Sequence, residues 1–130
     1  MTPDLKIFLV EDNDDTRNML HELLVSSGFE VHTAGTMQAA LATFAGTGSQ
    51  VLLSDLGLPD GDGWALLKTL RAAGAEPYAV AMSGFGTLAD RTASLEAGYR
   101  HHLVKPIDLD ALERLLDDAR HEIARHQGTE

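Results

Sequence analysis

The chain has 130 residues, with ten Lys and Arg against twenty Asp and Glu, a formal charge of -10 and no cysteine. This length suits a single domain that buries roughly two-thirds of its unfolded surface; missing thiols exclude disulfides and thiolate metal sites, and the acidic balance disfavours direct binding of nucleic acid, whose backbone carries charge of the same sign. The first residues, Met1 to Lys6, lack the basic start and apolar run of a signal peptide, and no window approaches a membrane span, so the chain reads as cytoplasmic and without membrane contact.

Lys6 to Val10 holds the apolar run Ile7-Phe8-Leu9-Val10 and reads as a buried strand that stops at Glu11-Asp12. Asn13 or Asp14 can cap the helix that follows, whose predicted inner face is Met19, Leu20, Leu23 and Leu24 and whose stop is Gly28. Glu30 to Ala34 alternates polar and apolar as a half-exposed strand does. Thr36 to Phe44 reads as a helix with Met37, Ala40, Leu41 and Phe44 turned inward, and Gly46 to Ser49 as a loop. Val51-Leu52-Leu53 is a third strand; it ends at Ser54-Asp55 and runs into a loop with Gly57, Pro59, Gly61 and Gly63.

Trp64, Leu66, Leu67 and Leu70 then recur at helical spacing until Gly74, with Trp64 read as packing at the helix start. Tyr78 to Met82 is a fourth strand that ends at Ser83. Thr87 and Asp90 have the spacing of a capping box for a helix that stops at Gly98. Arg100 to Val104 is a fifth strand, ending at Lys105-Pro106, and Asp108 caps a last helix. Its Leu109, Leu112, Leu115, Leu116, Ala119 and Ile123 form an apolar stripe opposite Arg114, Asp117, Asp118 and Glu122.

Strands alternating with helices predict an α/β fold, a doubly wound five-stranded parallel sheet covered on both faces. The first, third and fourth strands are nearly all apolar and belong in the interior, whereas Glu30 and His32 in the second, and Arg100, His101 and His102 in the fifth, mark edges. Right-handed crossovers with these edges favour the order 2-1-3-4-5, the flavodoxin-like arrangement, whose direction reverses between strands one and three. Glu11, Asp12 and Asp55 converge at that reversal. Along the sequence part of the acidic excess is locally concentrated, as Glu11-Asp12-Asn13-Asp14-Asp15 and as Asp55, Asp60 and Asp62, and clustered carboxylates suggest a cation.

Two acids after strand one, an acid after strand three, a hydroxyl after strand four and Lys-Pro after strand five share one rim. In this order, and at these strand ends, they resemble the receiver domain of two-component response regulators. The resemblance covers residues 6 to about 125 and leaves 126–130 as a polar tail of one domain spanning 1–130. It implies that Asp55 is the phosphoacceptor, Glu11 and Asp12 the acidic pair, Ser83 the switch hydroxyl and Lys105 the lysine that contacts the phosphoryl group. It further implies Mg²⁺ as cofactor, held by Asp12, Asp55 and the backbone carbonyl of Gly57, with Glu11 acting directly or through water, and a cis peptide between Lys105 and Pro106.

The function so implied is that of a signalling domain, not an enzyme in the ordinary sense. Asp55 accepts the phosphoryl group of a phosphohistidine on a histidine kinase or histidine phosphotransfer domain, and the surface of the fourth helix, fifth strand and fifth helix changes in response. The alternative role is that of a phosphorelay intermediate or phosphate sink, passing the group to a histidine phosphotransfer domain or to water. The output partner is not legible, and no output domain is read in the polar residues Gln127 to Glu130.

One position departs from the pattern. Where the family usually has Tyr or Phe at the output switch position, three residues before the lysine, this chain has His102. With that His, the phrase GYRHHLVKPID is more similar to receivers attached to hybrid histidine kinases than to those of transcriptional regulators. Competing readings fail in context: Gly84-Phe85-Gly86-Thr87-Leu88-Ala89 fits a dinucleotide fingerprint but follows the fourth strand, with no acid ending the next one. An aspartyl phosphohydrolase wants an acid at Gly57, Asp60-Gly61-Asp62 lacks the other ligands of a calcium loop, and the consecutive His101 and His102 point to opposite faces of a strand.

Overall fold

Strands and helices alternate along the chain in this computed structural model, which describes residues 5–84 and 86–126. The strands are β1 (Lys6–Val10), β2 (Glu30–Ala34), β3 (Val51–Asp55), β4 (Tyr78–Ser83) and β5 (His101–Val104), and the helices α1 (Asp14–Ser26), α2 (Met37–Thr47), α3 (Gly63–Ala72), α4 (Leu88–Ala97) and α5 (Leu109–His126). The strands pair in parallel, in the order β2-β1-β3-β4-β5. This is the predicted doubly wound sheet, and it reverses direction between β1 and β3.

Strand composition follows from position. Every residue of β3 and β4 is buried, while β2 and β5 are mostly half-buried or exposed. Alternation along the interior strands feeds two cores. Phe8, Val10, Leu52, Ala79 and Ala81 face α2, α3 and α4 through Ala40, Phe44, Leu66, Leu67, Leu70 and Ala97, and Phe8 meets Phe44 edge-on at 5.3 Å. Ile7, Leu9, Val51, Leu53, Val80 and Met82 face α1 and α5 through Leu20, Leu24, Leu112, Leu116 and Ala119. Helix entries are capped as expected at Asn13, which accepts from the Thr16 N–H, at Thr87, which accepts from Asp90, and at Asp108, which accepts from Asp110 and Ala111. Two caps that the sequence reading did not name are Thr36, which accepts from Ala39, and Asp62, which accepts from Ala65.

Several expectations are corrected. In α1 only Leu20 and Leu24 are buried, and Met19 and Leu23 are 51% and 38% exposed. A helix that meets the sheet along one i, i+4 line leaves its flanking apolar residues outside. In α5, likewise, Leu109 is exposed while Leu112, Leu116 and Ala119 are buried. Helix α2 continues through Gly46 to Thr47, because the left-handed residue that ends it is Gly48 (φ 68°). The glycine-rich loop contains a two-residue antiparallel ladder, Gly57–Leu58 with Gly61–Asp62, too short for any periodicity to announce. Strand β5 starts at His101, one residue later than expected, although the Arg100 N–H still donates to the Ala79 carbonyl of β4 at 2.7 Å; the Arg100 side chain pairs with Glu122 in α5 and lies over the Tyr78 ring.

The Lys105–Pro106 peptide is cis. Trp64 packs half-buried against the core at the start of α3, as expected. Helix α5 runs through His126, and Phe85 and the tail residues 127–130 lie outside the described residues, as do residues 1–4.

Candidate functional site

Parallel strands end on one side of the sheet, so β1, β3, β4 and β5 deliver Glu11, Asp55, Ser83 and Lys105 to a common rim. Glu11 is fully buried. Its backbone N–H donates to the Ala34 carbonyl (3.1 Å) and its own carbonyl accepts from Arg17 Nη1 (2.8 Å), which holds the turn after β1 in place. Lys105 Nζ donates to Glu11 Oε1 at 2.6 Å and to Asp55 Oδ2 at 2.9 Å. The remaining oxygens accept backbone hydrogens, Glu11 Oε2 from Asn13 (3.0 Å) and Asp55 Oδ1 from Gly57 (3.3 Å). Asp12 stands exposed at the mouth.

Carboxylate oxygens of Glu11, Asp12 and Asp55 lie within 4.8 Å of one another. At an effective dielectric near 20 each such pair repels by about 3 kcal/mol. Burial raises the Glu11 pKa above the usual carboxylate value, with the Asp55 charge adding to the effect and Lys105 and the Asn13 N–H opposing it. Burial alone would lower the Lys105 pKa, but its bonds to Glu11 and Asp55 override this and hold the ammonium above its ordinary value. One ammonium against three carboxylates leaves a deficit of two positive charges. An all-oxygen donor set with that deficit fits a hard divalent cation of the Mg²⁺ type.

Asp60 and Asp62, near Asp55 in the sequence, do different work. Both Asp60 oxygens accept backbone hydrogens at the start of α2, from Met37 (2.7 Å) and Gln38 (2.8 Å), and these bonds lower its pKa. Asp62 caps α3. Neither joins the group formed by Glu11, Asp12 and Asp55, the three acids expected to converge at the reversal. Both carboxylates are captured by helix N-termini, whose unpaired N–H groups attract anions.

Gly63 holds Asp55 and α3 together by having no side chain. A Cβ there would lie 2.7 Å from the Asp55 carbonyl oxygen and 3.1 Å from Leu56 Cα. The buried Tyr99 hydroxyl donates to the Gly63 carbonyl at 2.6 Å, and burial pushes its pKa up.

Ser83 Oγ, at the end of β4, lies 2.8 Å from His102 Nε2, and His102 Nδ1 lies 3.2 Å from Ser94 Oγ. His101 turns the other way and meets the Tyr78 hydroxyl at 3.0 Å, so the two histidines do take opposite faces. Ser94, Arg17 and Tyr99 carry no motif, and sequence reasoning passes over them. The signal for Ser94 is a hydroxyl on the buried side of a helix, which becomes meaningful only once Trp64 and His102 are seen beside it.

A family model described as the response regulator receiver domain matches residues 7–117. Among curated relatives, the KDP operon transcriptional regulatory protein KdpE of Escherichia coli is 34% identical over 123 residues, 95% of this chain and 53% of that protein. The sensor histidine kinase RcsC of Salmonella typhi is 30% identical over 113 residues, 87% of this chain and 12% of that protein. The chain thus spans only part of these relatives. Among solved structures, the co-crystal of the Saccharomyces cerevisiae histidine phosphotransfer protein Ypd1 with the receiver domain of Ssk1 matches with TM-score 0.79 and 24% identity, covering 87% of this chain and 86% of that one, a likeness of fold.

Proposed function

We infer the function from the family: the chain belongs to the response regulator receiver domains, the phosphorylation-dependent signalling domains of two-component systems. On that premise we propose that Asp55 accepts a phosphoryl group from the phosphohistidine of a histidine kinase or histidine phosphotransfer protein. The observation that carries the reading is the convergence of the Glu11, Asp12 and Asp55 carboxylates with Lys105 Nζ on one rim. Asp55 Oδ attacks phosphorus, a P–O bond forms as the P–N bond to histidine breaks, and the imidazole leaves. Lys105 offsets charge on the transferred oxygens. Asp12, Asp55 and the Gly57 carbonyl, with Glu11 acting directly or through water, would hold Mg²⁺, which would neutralise the remaining negative charge.

Ser83 donates a hydrogen bond to the new phosphoryl group, which carries roughly -1.5 to -2 charges. His102 stands at the output switch position beside it, and the responding surface is α4, β5 and α5. We read 6–125 as the core of one such domain, working in the cytoplasm; no described helix is long and apolar enough to cross a membrane. The test is labelling with acetyl phosphate and Mg²⁺: the unsubstituted chain takes label and Asp55→Asn takes none, whereas full labelling of Asp55→Asn refutes the assignment.

A second role, relay or phosphate sink, is favoured by the similarity to a sensor histidine kinase and by the Ssk1 receiver's co-crystal with a phosphotransfer protein. Transfer from the labelled chain to a purified histidine phosphotransfer protein supports it. Retention of label in that mixture supports the switch.

A further inference from the structure

Four side chains from four elements form a line of hydrogen bonds that reaches Ser83. Trp64 Nε1, at the start of α3, donates to Ser94 Oγ in α4 over 2.9 Å. Ser94 Oγ lies 3.2 Å from His102 Nδ1 in β5, and His102 Nε2 lies 2.8 Å from Ser83 Oγ at the end of β4. The direction of each bond can be worked out from its far end. An indole N–H only donates, so Ser94 Oγ accepts it. Ser94 is 1% exposed, and a buried hydroxyl hydrogen with no acceptor carries its full desolvation penalty. The other partner of Ser94 Oγ is Nδ1, which therefore takes the Ser94 hydrogen. A neutral imidazole carries a single ring hydrogen, which then sits on Nε2 and is donated to Ser83 Oγ.

We propose that His102 is a positioning residue for Ser83. Held as the Nε2–H tautomer by Ser94 and Trp64, it donates to Ser83 Oγ and turns the Ser83 hydroxyl hydrogen away from the ring, toward a phosphoryl oxygen on Asp55. Every donor in the line then points from α3 toward the phosphorylation site, an arrangement in which successive bonds polarise one another. The Nδ1–H tautomer would do the reverse and draw the Ser83 hydrogen onto the ring. This role rests on the reading of Asp55 as phosphoacceptor and Ser83 as its hydrogen-bond donor. It also gives the histidine a function that Tyr or Phe at this position lacks, since neither carries an acceptor and a donor on opposite edges of one ring.

Two measurements on the intact chain test it. Nitrogen-15 NMR of the His102 ring is expected to show a protonated Nε2 and a bare Nδ1, with Ser94→Ala losing that preference; a protonated Nδ1 in the unsubstituted chain overturns the proposal. The second readout is the rate of Asp55 labelling by acetyl phosphate with Mg²⁺. His102→Phe is expected to slow it about fivefold, the factor equivalent to one ordinary hydrogen bond, and Ser83→Ala added to His102→Phe to slow it little further. His102→Gln, whose amide nitrogen can stand where Nε2 stood, restores most of the rate. Equal losses for Phe and Gln, or a full additional loss from Ser83→Ala, overturn the positioning role. Absence of label on the unsubstituted chain refutes the functional reading and this role with it, whereas labelling with the wrong tautomer refutes this role alone.

Discussion

Glu11 is the residue at which the opposing demands of this site are sharpest. It is fully buried, ion-paired with Lys105 and close to two other carboxylates, and burial leaves its pKa above the usual value. An acid with a raised folded pKa binds its proton more readily folded than unfolded. Its charged form therefore costs stability at neutral pH, and the cost fades as pH falls through the folded pKa toward the unfolded value near 4.5. Without divalent cation, Glu11→Gln is expected to raise the unfolding midpoint at pH 7, with the gain shrinking toward pH 4.5. Thermal melts in chelator across that range check it, and a gain that grows on acidification contradicts the assigned sign. At this scale the sequence showed which acids end strands. Asp60 showed the limit, because its capture by the Met37 and Gln38 N–H groups depends on a helix 22 residues distant in sequence.

At the scale of elements, the apolar stripe of α5 was legible as a repeat, and the sheet then selected which part of it counts. Leu112 and Leu116 are each 1% exposed and Ala119 is fully buried, whereas Leu109 is 41% exposed. Leu112→Ala is expected to cost about 2–5 kcal/mol, the range for emptying a packed leucine site. Leu109→Ala should stay within about 0.5 kcal/mol. Chemical denaturation of both variants checks the contrast, and equal losses would mean that α5 docks with a different face. The same reasoning explains α1, whose predicted four-residue face narrows to Leu20 and Leu24.

For the whole molecule, three carboxylates held within 4.8 Å of one another repel in the apo chain, and a bound cation would offset that repulsion. The proposed Mg²⁺ site predicts stabilisation by mass action, about 2.7 kcal/mol at a hundredfold excess over Kd. Asp12→Ala removes one exposed carboxylate of the three. It is expected to hold or raise the melting temperature in chelator and to weaken the Mg²⁺-dependent rise. Calorimetry with and without Mg²⁺ measures both, and an undiminished rise in the variant removes Asp12 from the ligand set. The receiver fold suits such a design because β1 and β3 are adjacent and parallel, so their ends bring Glu11, Asp12 and Asp55 together without any sequence proximity.

The sequence by itself determined the α/β class, the strand order and the rim on which Glu11, Asp12, Asp55, Ser83 and Lys105 stand. These follow from local apolar runs, their edges and the handedness of crossovers, all of which are written along the chain. What only the tertiary structure decided is how side chains distant in sequence pair. Asp60 and Asp62 go to helix caps, Met19, Leu23 and Leu109 remain outside, and Trp64, Ser94 and His102 line up behind Ser83. Periodicity specifies which face of an element is apolar. Hydrogen-bond partners are chosen by distances of a few ångströms between elements, and those are set only when the helices have packed onto the sheet.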